Sequence, residues 1–287
     1  MKSKVLLFAR LARRQARRWQ ALLRWRRASF HGIPVLFANS FPKSGTHLLT
    51  QVLEGFTLVG PAVNAGLPAI VTYMGDSGRE RSETEIMHDL QRLLPGDIAY
   101  GHAHALQAAV ELLRKPGYAT YFMLRDPRDV VVSHVHYITE MEPEHIHHQF
   151  YKEELHSFDE RLMVSILGRP EIGIEFPDIR QRFLPYLGWI KCPAVQVLRF
   201  EEFVQDRQAT VSRALDYAVE RGFQLHRPRQ EAVQILLDHL DPKRSPTFRS
   251  GKAGGWREAF TPEHTRVFKE IAGDLLIQLG YERDLLW

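Results

Sequence analysis

Short apolar runs alternate with stretches of helical periodicity along most of this chain. Ile33-Pro34-Val35-Leu36-Phe37-Ala38 is apolar at nearly every position, and Leu48, Leu49, Val52, Leu53 and Phe56 then recur at helical spacing, which predicts a strand followed by a helix over 46–56. The pattern repeats. Asp97 to Gly101 reads as a short strand before a helix from Leu106 to Leu113, and Tyr118 to Leu124 is the clearest buried strand. Asp126 follows it as an N-cap with Pro127 at the first helical position. Ala194 to Leu198 is a further strand. Strand–helix alternation of this kind implies the α/β class, with a central parallel sheet flanked by helices.

The rest of the pattern fills in the helical layers. Ser82 to Leu94 predicts a helix with an S-x-x-E capping box from Ser82 and Glu85, ended by Pro95-Gly96. Tyr151 to Leu167, Pro177 to Ile190, Gln208 to Arg221, Arg229 to Leu240 and Pro262 to Leu279 also read as helices. Gly60 to Gly78, with Pro61 and Pro68, reads mainly as loop, with a short strand at Ala69 to Tyr73.

Charge changes the picture at one end only. Of 287 residues 44% are apolar and 25% charged, enough for one large core. The net charge of +4 conceals an asymmetry: Met1 to Ala28 carries two Lys and eight Arg and no acidic residue, so removing those ten charges leaves −6 for the remainder. The division expected is therefore a basic amphipathic segment, 1–28, and a folded domain, 29–287. Trp19, Trp25 and several Leu interleave with the Arg of that segment, which suits an anionic membrane surface. Packing on its own domain or on a partner, a nucleic-acid arm and an organelle transit sequence are competing readings, with nucleic acid the least expected. No apolar run reaches the ~20 residues of a membrane span. The single cysteine, Cys192, excludes an internal disulfide and suits a reducing compartment. The expected location is the cytoplasm, with peripheral contact to a membrane through 1–28.

Candidate chemistry gathers where predicted strands end. Asn39-Ser40-Phe41-Pro42-Lys43-Ser44-Gly45-Thr46-His47 joins the first strand to its helix, and a Gly with small hydroxyl residues at a helix start leaves N–H groups free for a phosphate-like anion. The nucleotide-triphosphate loop G-x-x-x-x-G-K-[ST] is not present, because Lys43 precedes Gly45 and no Gly opens the loop. His102 and His104 follow the Asp97 to Gly101 strand, at the carboxyl edge where side chains face a ligand crevice. Arg125 stands at the tip of the next strand, with Ser133 eight residues on; pairing with Asp126 or Asp129 is its alternative role. His134, His136, His145, His147 and His148 crowd the following segment, but without carboxylate or Cys ligands in register no metal is expected.

The Pro-Lys-Ser-Gly-Thr order resembles the 5'-phosphosulfate loop of sulfotransferases that use 3'-phosphoadenosine 5'-phosphosulfate (PAPS). Arg125 with Ser133 resembles that family's 3'-phosphate segment. Arg199-Phe200-Glu201-Glu202 resembles its strand ending in Tyr-Glu-Asp, with Phe200 in the aromatic position beside the adenine; a plain core Phe is the alternative. Phe248-Arg249-Ser250-Gly251-Lys252-Ala253-Gly254-Gly255-Trp256 to Phe260 resembles its C-terminal R-K-G-x-x-G-x-W-x-x-x-F segment, with Ser250 in place of Lys. The resemblance covers about residues 33–280. It implies a P-loop-type three-layer fold, PAPS as co-substrate without a metal, and sulfuryl transfer to a hydroxyl or amine of a small-molecule, carbohydrate or lipid acceptor. It further implies a nucleotide site of Lys43, Ser44, Gly45, Thr46, His47, Arg125, Ser133, Phe200, Arg249, Ser250 and Gly251. Lys43 would stabilise the leaving oxygen and His102, or alternatively His104, would act as general base. A nucleotide-dependent kinase and a non-catalytic PAPS/PAP-binding module recruited by its N-terminal helix are the competing functions.

Overall fold

The computed structural model describes residues 2–169, 176–245 and 251–287. Helix α1 (Lys2–Arg24) precedes the first strand, β1 (Val35–Ser40), which leads into α2 (Thr46–Val59). Two short strands, β2 (Val63–Asn64) and β3 (Ile70–Val71), come before α3 (Glu83–Gln91), β4 (Asp97–His102), α4 (Gln107–Leu113), β5 (Tyr118–Leu124) and α5 (Pro127–His136). The chain continues through α6 (Phe158–Leu167), α7 (Ile179–Phe183), α8 (Leu187–Ile190), β6 (Val195–Arg199), α9 (Phe200–Gln205), α10 (Arg207–Glu220) and α11 (Arg229–Asp238), and closes with α12 (Trp256–Ala259) and α13 (Pro262–Gln278).

All the strands run parallel in the order β2-β4-β1-β5-β6, with β3 also pairing with β4. The two-residue side-chain period of β1 explains its unbroken apolar run. Val35 and Phe37 enter a core shared with α3, α4, α5, α6 and α13, while Leu36 and Ala38 enter a second core under α2, α10 and α11. Both faces are covered, as a parallel sheet requires.

Two predicted helices prove to be interrupted, and a third, Pro262 to Leu279, kinks at Ala272 (φ −139°). Tyr151 to Leu167 contains a wide turn over Phe150–Glu154 and then restarts, because Ser157 Oγ accepts the Glu160 N–H at 3.1 Å while Glu160 accepts the Ser157 N–H. Pro177 to Ile190 is broken at Leu184–Tyr186, a 3₁₀ turn, since Pro185 has no N–H for an α-helical bond.

For residues 14–18, α1 packs on its own domain. Asp97, fully buried at the start of β4, accepts from Arg14 and, at 2.6 Å, from Arg18; the Leu94 N–H adds a third bond at 2.8 Å. Arg14 also reaches the Arg92 carbonyl (2.8 Å) and Arg18 the Pro95 carbonyl (3.0 Å). Charge, rather than an apolar stripe, therefore fixes this helix to the amino edge of the sheet. Among the described residues no helix is long and apolar enough to cross a membrane.

Candidate active site

At the opposite, carboxyl edge of the sheet the strand ends surround a cavity of ≈ 510 Å³. β1 supplies the loop to α2. Lys43 and Gly45 both take positive φ there (67° and 99°), and no side chain caps the α2 N-terminus. Gly45 is required twice over: its backbone is left-handed, and a Cβ would lie 2.8 Å from the Phe200 ring. The Leu48 N–H closes on the Gly45 carbonyl at 3.0 Å, which leaves the Thr46 and His47 N–H groups at the start of α2 to an anion. Ser44 Oγ is buried nearby without a hydrogen-bond partner.

Lys43 projects across the cavity, its Nζ 3.6 Å from the centre of the Tyr137 ring. Burial, then the Arg125 charge, bring its pKa down to about 7, and the Glu142 carboxylate opposes them. Tyr137 begins a π-helical turn, Tyr137–Met141, that continues α5, and its hydroxyl donates to Glu142 at 3.2 Å.

Asn39, inside the sheet, fixes the end of β4. Its side-chain amide donates to the Ala103 carbonyl and its oxygen accepts the Ala103 N–H, both at 2.9 Å, so it continues the β1–β4 ladder past the last backbone pair. His102 is held by this arrangement. Its Nδ1 lies 3.0 Å from the Ser40 carbonyl and 3.1 Å from Ser40 Oγ. A carbonyl oxygen only accepts, so Nδ1 carries the proton and Nε2 keeps the lone pair. Burial, opposed in part by the bond to the Ser40 carbonyl and aided by repulsion from Lys43 and His47, takes the His102 pKa down to about 4, and the ring is neutral at neutral pH. His104 does not line the cavity. It packs behind the wall, edge-on to Tyr186 (4.8 Å) and Tyr73 (5.4 Å), its N–H donating to Thr72 Oγ1.

Arg125, at the tip of β5, lies over the Phe200 ring at 4.4 Å, and its Nη2 donates to the Lys252 carbonyl at 2.9 Å. Its Nε is buried without a partner. Asp129, one turn into α5, lies 3.5 Å from Arg125 and accepts N–H bonds from Gly254 (2.7 Å) and Trp256 (2.9 Å), which ties the glycine segment to the strand tip. Arg128 is sandwiched between Trp256 and Trp287 while it pairs with Asp126 and Glu282, so the same short helix also anchors the C-terminus.

Of the residues singled out from sequence, Lys43, Gly45, Thr46, His47, His102, Arg125, Ser133, Phe200 and Gly251 line this one cavity. Ser44 sits behind the loop, and Arg249 and Ser250 lie outside the described residues. The crowded histidines separate by role: His134 and His147 pack on Phe176, and His145 reaches the cavity wall. Among the described residues no three His, Cys, Asp or Glu side chains converge on a metal position. Sequence reasoning does not single out Ser40, Tyr73, Met74, Tyr137 and Tyr186, which complete the site. Ser40 had a local signal as the end of the strand that enters the anion loop, and Tyr73 and Met74 lie in the Gly60 to Gly78 loop at a strand's carboxyl end, where acceptors bind.

The family model described as "Sulfotransferase domain" matches residues 120–280, more than half of the chain. No curated protein sequence matches this chain. Among solved structures, retinol dehydratase in complex with androsterone and inactive cofactor PAP is similar at 16% identity, with 84% of this chain and 80% of that one covered and a TM-score of 0.56. Mouse sulfotransferase SULT7A1 complexed with PAP is similar at 18% identity, with 89% and 87% covered and a TM-score of 0.58.

Proposed function

The chain belongs to the sulfotransferase domain family, and from that premise we propose that it moves a sulfuryl group from PAPS to the hydroxyl of a small acceptor and releases adenosine 3',5'-bisphosphate (PAP). One observation carries the reading: Lys43, His102, Arg125 and Ser133, drawn from three strand ends and a helix, line a single cavity. The protein groups fit the nucleotide. Arg125 Nε and Ser44 Oγ are buried donors with no partner in the protein, and the loop at Gly45 excludes any Cβ. Lys43, Ser44, Gly45, Thr46 and His47 would hold the 5' end, and Phe200 the adenine. Arg125, Ser133 and the segment Arg249, Ser250 and Gly251 would hold the 3'-phosphate.

When bound, PAPS supplies an activated sulfuryl group whose bond to the phosphate oxygen breaks as the acceptor oxygen bonds to sulfur. His102 Nε2 takes the acceptor's proton, with the Ser40 carbonyl fixing the ring through Nδ1. Lys43 and the α2 N–H groups stabilise negative charge on the departing oxygen. The acceptor wall is Val71, Tyr73, Met74, Tyr137 and Tyr186, which favours a lipophilic alcohol or phenol over a carbohydrate that would need many polar partners. Androsterone in the retinol dehydratase complex is a ligand of that kind. Residues 29–287 would form the catalytic domain, with α1 an attachment to it.

Transfer of labelled sulfate from PAPS to a panel of phenols and aliphatic alcohols, with mass spectrometry of the product, tests the reading. A protein that binds PAP but transfers nothing to any acceptor would be a binding module. A kinase would bind ATP and show no preference for PAP, but the loop order, with Lys43 ahead of Gly45, speaks against that.

Two expectations follow directly. PAP should bind at least tenfold more tightly than AMP, since a charge-assisted bond to the 3'-phosphate contributes ~1.5 to 3 kcal/mol. Arg125→Ala should remove most of that preference in titration calorimetry, and equal affinities in the wild-type protein would sink the assignment. The free-enzyme pH profile should also be bell-shaped. Lys43 is charged only below its pKa of about 7, so kcat/KM falls as pH rises past that value; His102 is neutral only above about 4, so kcat/KM falls again at the acid end. Lys43→Arg should abolish the alkaline limb, because Arg stays charged throughout. An unchanged limb would assign it to another group.

A further inference from the structure

Helix α1 is oriented the reverse of an ordinary surface helix. Arg14 and Arg18 face the domain and hold buried Asp97, with Ala21 and Leu22 packed beside them. At 100° per residue, Trp19 and Leu23 lie about 140° and 180° around the helix from Arg14, and both are exposed, at 65% and 75%. Ala12 and Ala16 continue the same row, so positions 12, 16, 19 and 23 form an outward stripe about 16 Å long with no polar member. Exposed Arg13, Arg24 and Arg26 accompany it.

We infer that this stripe seats the protein on an anionic lipid surface. Charge identifies the occupant. Residues 1–28 hold ten basic and no acidic residues; Arg14 and Arg18 are taken up by Asp97, but exposed Arg13, Arg24 and Arg26 flank the stripe and are drawn to negative headgroups. Trp19 and Leu23 enter the headgroup–acyl boundary, and the flanking Arg stay at headgroup level. A second copy of the chain is the less favoured occupant: two α1 helices laid stripe to stripe would bring rows of Arg together with no carboxylate on either to answer them. The inference does not depend on which reaction the cavity performs.

Deleting α1 would leave Asp97 buried without its partners, so the test uses surface substitutions in the full-length protein. Flotation with phosphatidylcholine vesicles containing about 30% phosphatidylserine should recover the protein, and pure phosphatidylcholine should not. Trp19→Ser with Leu23→Ser should weaken binding at least tenfold, and Arg13→Gln, Arg24→Gln and Arg26→Gln together by about fivefold per residue, with most of the salt dependence lost. Matching thermal unfolding would show the variants folded. Absence of flotation, equal flotation on both vesicle types, or no effect of the Trp19 and Leu23 changes would overturn the inference. So would a concentration-dependent dimer in sedimentation velocity that the Trp19 and Leu23 changes abolish, which would assign the stripe to a second copy.

Discussion

His102→Ala should lower turnover by about 10²- to 10⁴-fold while leaving PAP affinity nearly unchanged, the size expected for loss of a general base. The ring's hydrogen bonds go to the Ser40 hydroxyl and carbonyl and not to Lys43 or the α2 N–H groups, so its removal should leave those groups in place. His104→Ala should cost far less. His104 sits behind Tyr73 and Tyr186, and its loss should loosen the acceptor wall and raise the acceptor KM more than it lowers kcat. Single-turnover rates on saturated enzyme separate the two. If the His104 variant loses turnover and the His102 variant keeps it, with both folded and binding PAP, the proton passes to His104 instead.

The largest stability loss is expected at the other edge of the sheet. Asp97→Ala should destabilise the fold by about 3 to 5 kcal/mol, because it leaves two nearly buried guanidinium groups, Arg14 and Arg18, without their carboxylate and frees the Leu94 N–H. Urea unfolding measures it, and limited trypsin digestion should show faster cleavage within α1. A change below about 1 kcal/mol would mean that α1 contributes little to the folded domain. Asp97→Asn keeps the shape, so the part of the loss that persists in it belongs to charge.

These two sites differ sharply in how far they can be read from sequence. The anion loop, Arg125 and Ser133 follow from local order: a buried strand, a small-residue turn and a helix start leave little choice about where Lys43 and Gly45 stand. Which of His102 and His104 lines the cavity depends on where β4 ends. It is decided by Asn39, whose bond to Ala103 is a tertiary contact without local signature. Tyr137 and Tyr186 reach the cavity from a π-turn and from a helix broken at Pro185, and periodicity predicts neither. The Arg-rich segment illustrates the same limit. Its composition is plain, but which arginines face inward depends on a single carboxylate about eighty positions away.

Asp129 has a consequence for how the anion site binds. Both of its oxygens are occupied by N–H groups of the glycine segment, and Arg125 reaches the same segment through the Lys252 carbonyl. The tip of β5 and residues 252–256 are therefore tied to each other in the folded chain. A bond from Arg125 to a phosphate should then cost little further ordering of the protein, so most of its free energy should appear as affinity.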